Sequence, residues 1–203
     1  MKILKIAALI VGSIIGLIII ALAFMSPKTH MERSIIVEAE PSVVFNLANN
    51  YKNFNQWSPW AAIDPDTKYQ YQGPESGPGC RMSWESDNDN VGAGEQWIIE
   101  TEENRYVKNG LKFGGFDGEY TSELIIEPVS EGTKLTWTYN GDVSGTGMMN
   151  VAFGKFFGMF MDSMLGPFYE SGLASLKSLA EATPLPSMDN AMKMTGMDSL
   201  QSN

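Results

Sequence analysis

The sequence predicts an α+β domain: a curved, seven-stranded antiparallel sheet, apolar on one face and wrapped around a long C-terminal helix, with a transmembrane helix ahead of it. Three observations lead there. Between residues 68 and 142, apolar residues recur with period two, the pattern of strands with one dry and one wet face. Between Val151 and Ala180 the period changes. Phe153, Phe156, Phe157, Phe160, Met161, Met164, Leu165 and Phe168 fall at helical spacing and form one stripe that needs an apolar cover. Finally, Ile6 to Met25 is a run of 20 residues without a charge, and roughly 20 apolar residues at about 1.5 Å rise each span a bilayer core.

That amino-terminal run has two readings. Lys2 and Lys5 make a positive leading region, and Ala21-Leu22-Ala23 offers small residues at the spacing of a signal-peptide cleavage site. The apolar stretch nevertheless exceeds the usual length of a cleaved signal, and bulky Ile18, Ile19 and Ile20 crowd the site. A retained anchor is the reading adopted, with residues 1–29 as anchor and linker, 30–182 as the folded domain and 183–203 as a flexible tail. The charge pattern favours an amino-terminus in the cytoplasm, which places the chain in the inner membrane as a single-pass protein with its domain outside.

Composition removes several function classes. All 24 acidic residues lie after residue 30, where only 11 of the 14 basic ones are found. A body so acidic repels phosphate backbones, so no nucleic-acid partner is expected. Cys80 is the only cysteine and His30 the only histidine. No internal disulfide, Ser-His-Asp triad, Cys-His pair or two-histidine zinc site can form within the chain. No metal, cofactor or catalytic residue is expected.

The elements follow in order. Met31 to Ala39 alternates as a first strand, with Ile35 and Val37 inward, and His30 falls in the linker before it. Pro41 opens a short helix whose face is Val44, Phe45, Leu47 and Ala48. Tyr51 to Trp57 reads as a second short helix, ended by Ser58-Pro59-Trp60. Six strands come next. Tyr69 and Tyr71 mark the inner side of the first, Met82 and Trp84 of the second, and Trp97 and Ile99 of the third. Val107, Leu111 and Phe113 mark the fourth, Tyr120, Leu124 and Ile126 the fifth, and Leu135, Trp137 and Tyr139 the last.

Turns rich in Gly, Asn, Asp and Pro join these strands. Asp87-Asn88-Asp89-Asn90 opens like a calcium loop, but Ile98 stands where a bidentate Glu is needed, so it reads as a hairpin turn. At about 1.5 Å per residue the final helix would run about 45 Å and cross the curved sheet. Gly166-Pro167 is expected to kink it. The Met-rich remainder reads as a tail, with a docking helix through Met188, Met192 and Leu200 as the minority reading.

The order strand, two small helices, six strands, long helix, together with Tyr51-x-Asn53-x-x-x-Trp57-x-Pro59-Trp60, resembles the START-like helix-grip superfamily, in particular its SRPBCC, polyketide cyclase/dehydrase-like branch. The likeness covers about residues 31–181. It implies a hydrophobic cavity between sheet and helix that takes lipids, sterols, polyketides or other apolar molecules. Five Trp residues and a helix striped with Phe are too bulky merely to fill a small core, and they point the same way.

The expected lining is Trp57, Trp60, Met82, Trp84, Trp97, Phe113, Tyr120, Trp137 and Tyr139, with Phe153, Phe157, Phe160, Met161 and Met164 from the helix. The reading is therefore membrane-anchored binding of a hydrophobic small molecule or lipid. The alternatives are a polyketide cyclase/dehydrase-type enzyme on an apolar substrate, with Tyr120 or Tyr139 and Asp162 as acid and base, and a co-chaperone-like protein-interaction module.

Overall fold

The computed structural model describes residues 2–182; the expected tail and the docking helix within it lie outside that range. The amino-terminal run forms α1 (Lys2–Phe24), a helix long and apolar enough to cross a membrane, with mean hydropathy 2.9. Ser26-Pro27 ends it, and β1 (Lys28–Val37) begins at once. His30 therefore belongs to a strand and not to a linker, and its Nδ1 lies 2.7 Å from the Asn140 Oδ1.

Three short helices follow. Pro41 occupies the first turn of α2 (Pro41–Ala48), where its missing amide hydrogen costs nothing. Asn50 caps α3 (Tyr51–Phe54) by accepting from the Lys52 and Asn53 amides at 2.8 and 3.2 Å. The Ser58-Pro59 step, expected to end a helix, starts α4 (Pro59–Ile63). Proline at a first helical position explains the difference.

The strands β2 (Lys68–Gln72), β3 (Arg81–Glu85), β4 (Ala93–Glu102), β5 (Tyr106–Phe113), β6 (Glu119–Val129) and β7 (Gly132–Asp142) complete a seven-stranded antiparallel sheet in the order β1-β7-β6-β5-β4-β3-β2. Every neighbour after the first pair is a hairpin, and the long return from β1 places the first strand beside the last, from Lys28↔Asp142 to Val37↔Thr133. The β6–β7 turn is only Ser130-Glu131, and Gly132 beyond it has φ +125 with the Val37 carbonyl 2.3 Å from where a Cβ would stand. A side chain there would clash with the β1 end.

The C-terminal stretch departs from the expected single helix. It is two: α5 (Met148–Gly158) and α6 (Met161–Ala182), separated at Met159-Phe160 by a tight turn in which the Phe160 amide donates to the Phe157 carbonyl at 2.9 Å. The break falls where Gly158 is drawn onto β1, with the Thr29 hydroxyl 2.7 Å from the site of a missing Cβ. Pro167 lies inside α6 on its solvent side and does not divide it.

The stripe divides with the helix. The buried face of α6 is Tyr169, Gly172, Leu173, Leu176 and Ala180, which spacing had not singled out, whereas α5 buries no residue fully. Phe153, Phe156, Phe157, Phe160 and Met164 are each 41–56% exposed.

Polar contacts fasten α6 along β1. Arg33 Nη1 donates to Asp162 Oδ1 and Arg33 Nε to Glu170 Oε1, both at 2.8 Å. Lower down, Lys177 Nζ donates to the Ile36 carbonyl at 2.8 Å, and Glu181 accepts from the Glu38 amide at 2.8 Å. Gly166 leaves the space that the Arg33 guanidinium occupies, which would lie 2.4 Å from a Cβ there.

The hydrogen bond and charge of Arg33 hold the Asp162 carboxyl below its usual range. A group whose folded pKa is depressed stabilises the fold above its unfolded value and loses that contribution as pH falls. Arg33→Met should therefore lower Tm at neutral pH, and the difference from the parent should narrow below about pH 4 as Asp162 protonates. Thermal melts from pH 3 to 7 test this; a Tm unchanged at neutral pH would mean that the clamp contributes nothing.

Candidate functional site

The concave face of the sheet does not meet α5 and α6 along their whole length. Trp137, on β7, props the helical layer away. Its ring stacks on Tyr169 of α6 with centroids 3.8 Å apart and meets Phe54, Trp57 and Trp60 edge-on at 5.2–6.1 Å. Its indole N–H donates to the Ser122 hydroxyl at 2.8 Å. Gly172 lets α6 come this close, since a Cβ there would lie 2.9 Å from the Trp137 ring. Beyond this wedge, toward α5, the layers stand apart around a cavity of about 470 Å³.

Alternation on the strands selects the lining. Met82 and Trp84 of β3, Leu111 and Phe113 of β5, and Tyr120 and Leu124 of β6 all point inward, as do Trp137 and Tyr139 of β7. Trp60 enters from α4, and Phe153, Phe157, Met161 and Met164 from the helical side. The rings run in a chain, Trp84 to Phe113 at 6.3 Å, Phe113 to Tyr120 at 5.4 Å and Tyr120 to Tyr139 at 6.3 Å. Eleven of the fourteen residues read from the sequence thus surround one space.

Three do not. Trp57 is buried behind Trp137 and donates its indole N–H to the Leu47 carbonyl at 3.0 Å, so it is core beneath α2. Phe160 sits in the turn between α5 and α6 and faces outward against Phe156. Trp97 lies on the opposite, convex face of the sheet. There it covers Gly110 and carries the Arg81 guanidinium 4.8 Å from its ring centroid, while Arg81 pairs with Glu95 at 2.8 Å.

The inward residues of β4 are Gln96 and Ile98, the opposite phase from the expected Trp97 and Ile99. A register shift between Ile98 and Glu100 interrupts the alternation. With apolar residues on both faces, period alone picks the wrong side.

Sequence reasoning also missed the polar part of the lining: Asn55, Gln96, Asn109 and Ser122. Tyr51 donates its hydroxyl to Asn109 Oδ1 at 2.8 Å. These residues have the wrong polarity for a hydrophobicity search; phase on the strands would have found Gln96, Asn109 and Ser122, whereas Asn55, at the end of α3, carries no such signal. The mouth was missed as well. Phe116 and Asp117 of the β5–β6 loop reach the cavity, and Asn150 of α5 donates to Asp117 Oδ2 at 3.1 Å across the opening.

The cavity's phenols are poor bases. Burial pushes the Tyr139 and Tyr169 hydroxyls well above the ordinary tyrosine range, and Tyr69 and Tyr120 upward as well. Tyr120 donates to the Asp117 backbone carbonyl at 3.2 Å, and Asp162 is taken by Arg33 outside the cavity. The tyrosine–carboxylate pair that an acid–base mechanism would use is not formed by these residues. Among the described residues no group of three His, Cys, Asp or Glu is placed to hold a metal ion. The Asp87–Asn90 segment is a hairpin turn in which the Val91 and Gly92 amides donate to the Asn88 carbonyl at 2.9 Å.

Solved structures share this fold at low identity. Protein CV1439 from Chromobacterium violaceum aligns with a TM-score of 0.51 at 14% identity, covering 76% of this chain and 99% of its own. The di-domain ARO/CYC StfQ from the steffimycin biosynthetic pathway aligns at 0.54 and 11%, covering 76% of this chain and 51% of its own. An uncharacterized protein from Rhizobium leguminosarum aligns at 0.52 and 17%, covering 77% and 96%. No curated protein matches the chain. A family model described as polyketide cyclase / dehydrase and lipid transport matches residues 28–181, and the chain belongs to that family.

Proposed function

We propose that this chain is a single-pass membrane protein that binds a hydrophobic small molecule or lipid in the cavity, with its domain outside the cytoplasm. The observation that carries the reading is where the cavity opens. Pro27 and Thr29, the residues on which the chain leaves α1, line it together with Phe153 and Phe157 of α5. If α1 spans the bilayer, the opening stands at the membrane surface. At about 1.5 Å per residue its 23 residues reach roughly 35 Å, close to the ~30 Å hydrocarbon core. Leu22 then lies at the boundary, and Lys155 of α5 donates to its carbonyl at 3.0 Å.

That position accounts for an otherwise costly surface. Met148, Met149, Phe153, Phe156, Phe157, Met159 and Phe160 are exposed on and just after α5, and Phe116 lies exposed on the loop across the mouth. No acidic residue occurs from Val143 to Met161, although the body is strongly acidic. Each half-exposed Phe moved from water into hydrocarbon would gain about 1 kcal/mol. The bilayer holding α1 is thus the natural cover for this face, and a ligand would pass from it into the cavity with little contact with water.

Three outcomes are expected. The chain purified from membranes should carry a co-extracted apolar molecule detectable by mass spectrometry, and Leu111→Trp, which fills the cavity, should reduce its occupancy about 10-fold or more without lowering Tm; equal occupancy in the variant would count against the cavity as the site. In phosphatidylcholine vesicles, a nitrobenzoxadiazole label on Phe156→Cys should emit blue-shifted and be quenched by spin-labelled lipid, while the same label on Ile99→Cys on the outer sheet face should report water. A label at 156 that also reports water would remove α5 from the membrane. Sequencing of the mature amino-terminus should recover the first residues of α1; a start after Ala23 would mean cleavage in place of anchoring.

A further inference from the structure

Polar side chains gather at the α3 end of the cavity, and two of them, Asn55 and Gln96, have hydrogen-bonding capacity left over. Asn55 spends its amide nitrogen on the Tyr71 hydroxyl at 2.9 Å and on the Met82 sulfur at 3.2 Å, but its Oδ1 is buried with no partner. Gln96 is only 7% exposed and lines the cavity, and its carboxamide has no hydrogen-bond partner among the described residues. The two adjoin one residue: Met82 is the cross-strand partner of Gln96 and the contact of Asn55.

The acceptor oxygens of the neighbouring polar residues are engaged: Asn109 Oδ1 accepts from the Tyr51 hydroxyl and the Ser122 hydroxyl oxygen from the Trp137 indole N–H, while the Asn109 amide N–H groups stand as further donors beside Gln96. Buried polar groups in native proteins are nearly always paired, so the unspent capacity of Asn55 and Gln96 beside an apolar cavity is suited to recognising a polar group on a ligand.

The charge of the lining narrows the choice further. Among the described residues, Asp117, at the mouth, is the only charged one around the cavity, and no Lys, Arg or His lines it. A carboxylate or phosphate inside would be desolvated without a partner, at a cost far above that of a neutral group.

Resting on the binding reading above, we propose that Asn55 and Gln96 form a polar subsite for an uncharged apolar molecule that carries a group able both to donate and to accept a hydrogen bond, such as a hydroxyl or a primary amide. The group donates to Asn55 Oδ1 and accepts from the Gln96 amide. The apolar remainder lies along the chain of aromatic rings toward the mouth.

The test is a competition among ligands of one chain length. Native mass spectrometry of the detergent-solubilised full chain, offered an equimolar mixture of dodecanol, dodecanamide, dodecyl methyl ether and dodecanoate, reads which are bound. The alcohol and the amide should exceed the ether and the carboxylate by about 10-fold, the factor expected when a buried acceptor is left unpaired. Gln96→Met, close in volume, and Asn55→Leu should bring alcohol and ether to equal occupancy while still binding both. If Asn55→Leu does not fold, Gln96→Met alone decides.

Equal binding of alcohol and ether by the parent chain, or a preference for the carboxylate, would overturn the subsite and leave the cavity reading standing. Binding of none of the four would overturn both.

Discussion

The contact on which this structure depends is the stack of Trp137 on Tyr169. One ring comes from the last strand and the other from the C-terminal helix, and with centroids 3.8 Å apart they join the two layers at one place. Phe54, Trp57 and Trp60 pack edge-on around Trp137, so α3, α4 and the turn between them are anchored to the same ring. Leu173, Leu176 and Ala180 continue the contact toward the end of α6. Close packing is therefore confined to one end of the sheet. A rigid wedge at that end and a curved sheet at the other leave the layers apart, because bulky rings in fixed rotamers cannot collapse into the gap.

The helical layer is adapted to this division. The half of the stripe beyond the wedge is turned largely outward, and the chain breaks at Met159-Phe160 where Gly158 is held on β1. Arg33 fixes the start of α6 to the edge strand through Asp162 and Glu170, outside the cavity. The acidic residue that the sequence offered to an enzyme thus serves to position a helix. α5 is left with apolar residues on its exposed side and its single lysine against the end of α1. In the proposed function the bilayer supplies what the sheet does not cover.

Inside the cavity, burial sets the protonation of the titratable groups. The tyrosine hydroxyls are pushed toward the neutral form by burial, which suits them to hydrogen bonding more than to proton abstraction. Cys80 is buried and its thiol is likewise raised by burial, which disfavours a thiolate nucleophile. Members of one fold carry many activities, so it is these groups and not the family that weigh on the chemistry.

The sequence by itself determined the architecture. Period-two alternation through six segments and an uncharged leading run are local patterns that appear in the structure as strands and a helix, and the aromatic-rich C-terminal stretch is helical as well, though as two helices in place of one. It also identified most of the aromatic lining, because Trp84, Phe113, Tyr120, Trp137 and Tyr139 are large apolar residues in strands that alternate cleanly.

What only the tertiary structure decided was the side of any residue whose neighbours were apolar on both faces, as at Trp97, which stands on the outer face under the Arg81 guanidinium. It decided as well that Trp57 is core and that the stripe divides at Met159. Above all it placed Asn55 and Gln96 beside Met82. Residues 41 positions apart in the chain carry no shared local signal, and only the pairing of β3 with β4 and the fold of α3 onto them bring the two together.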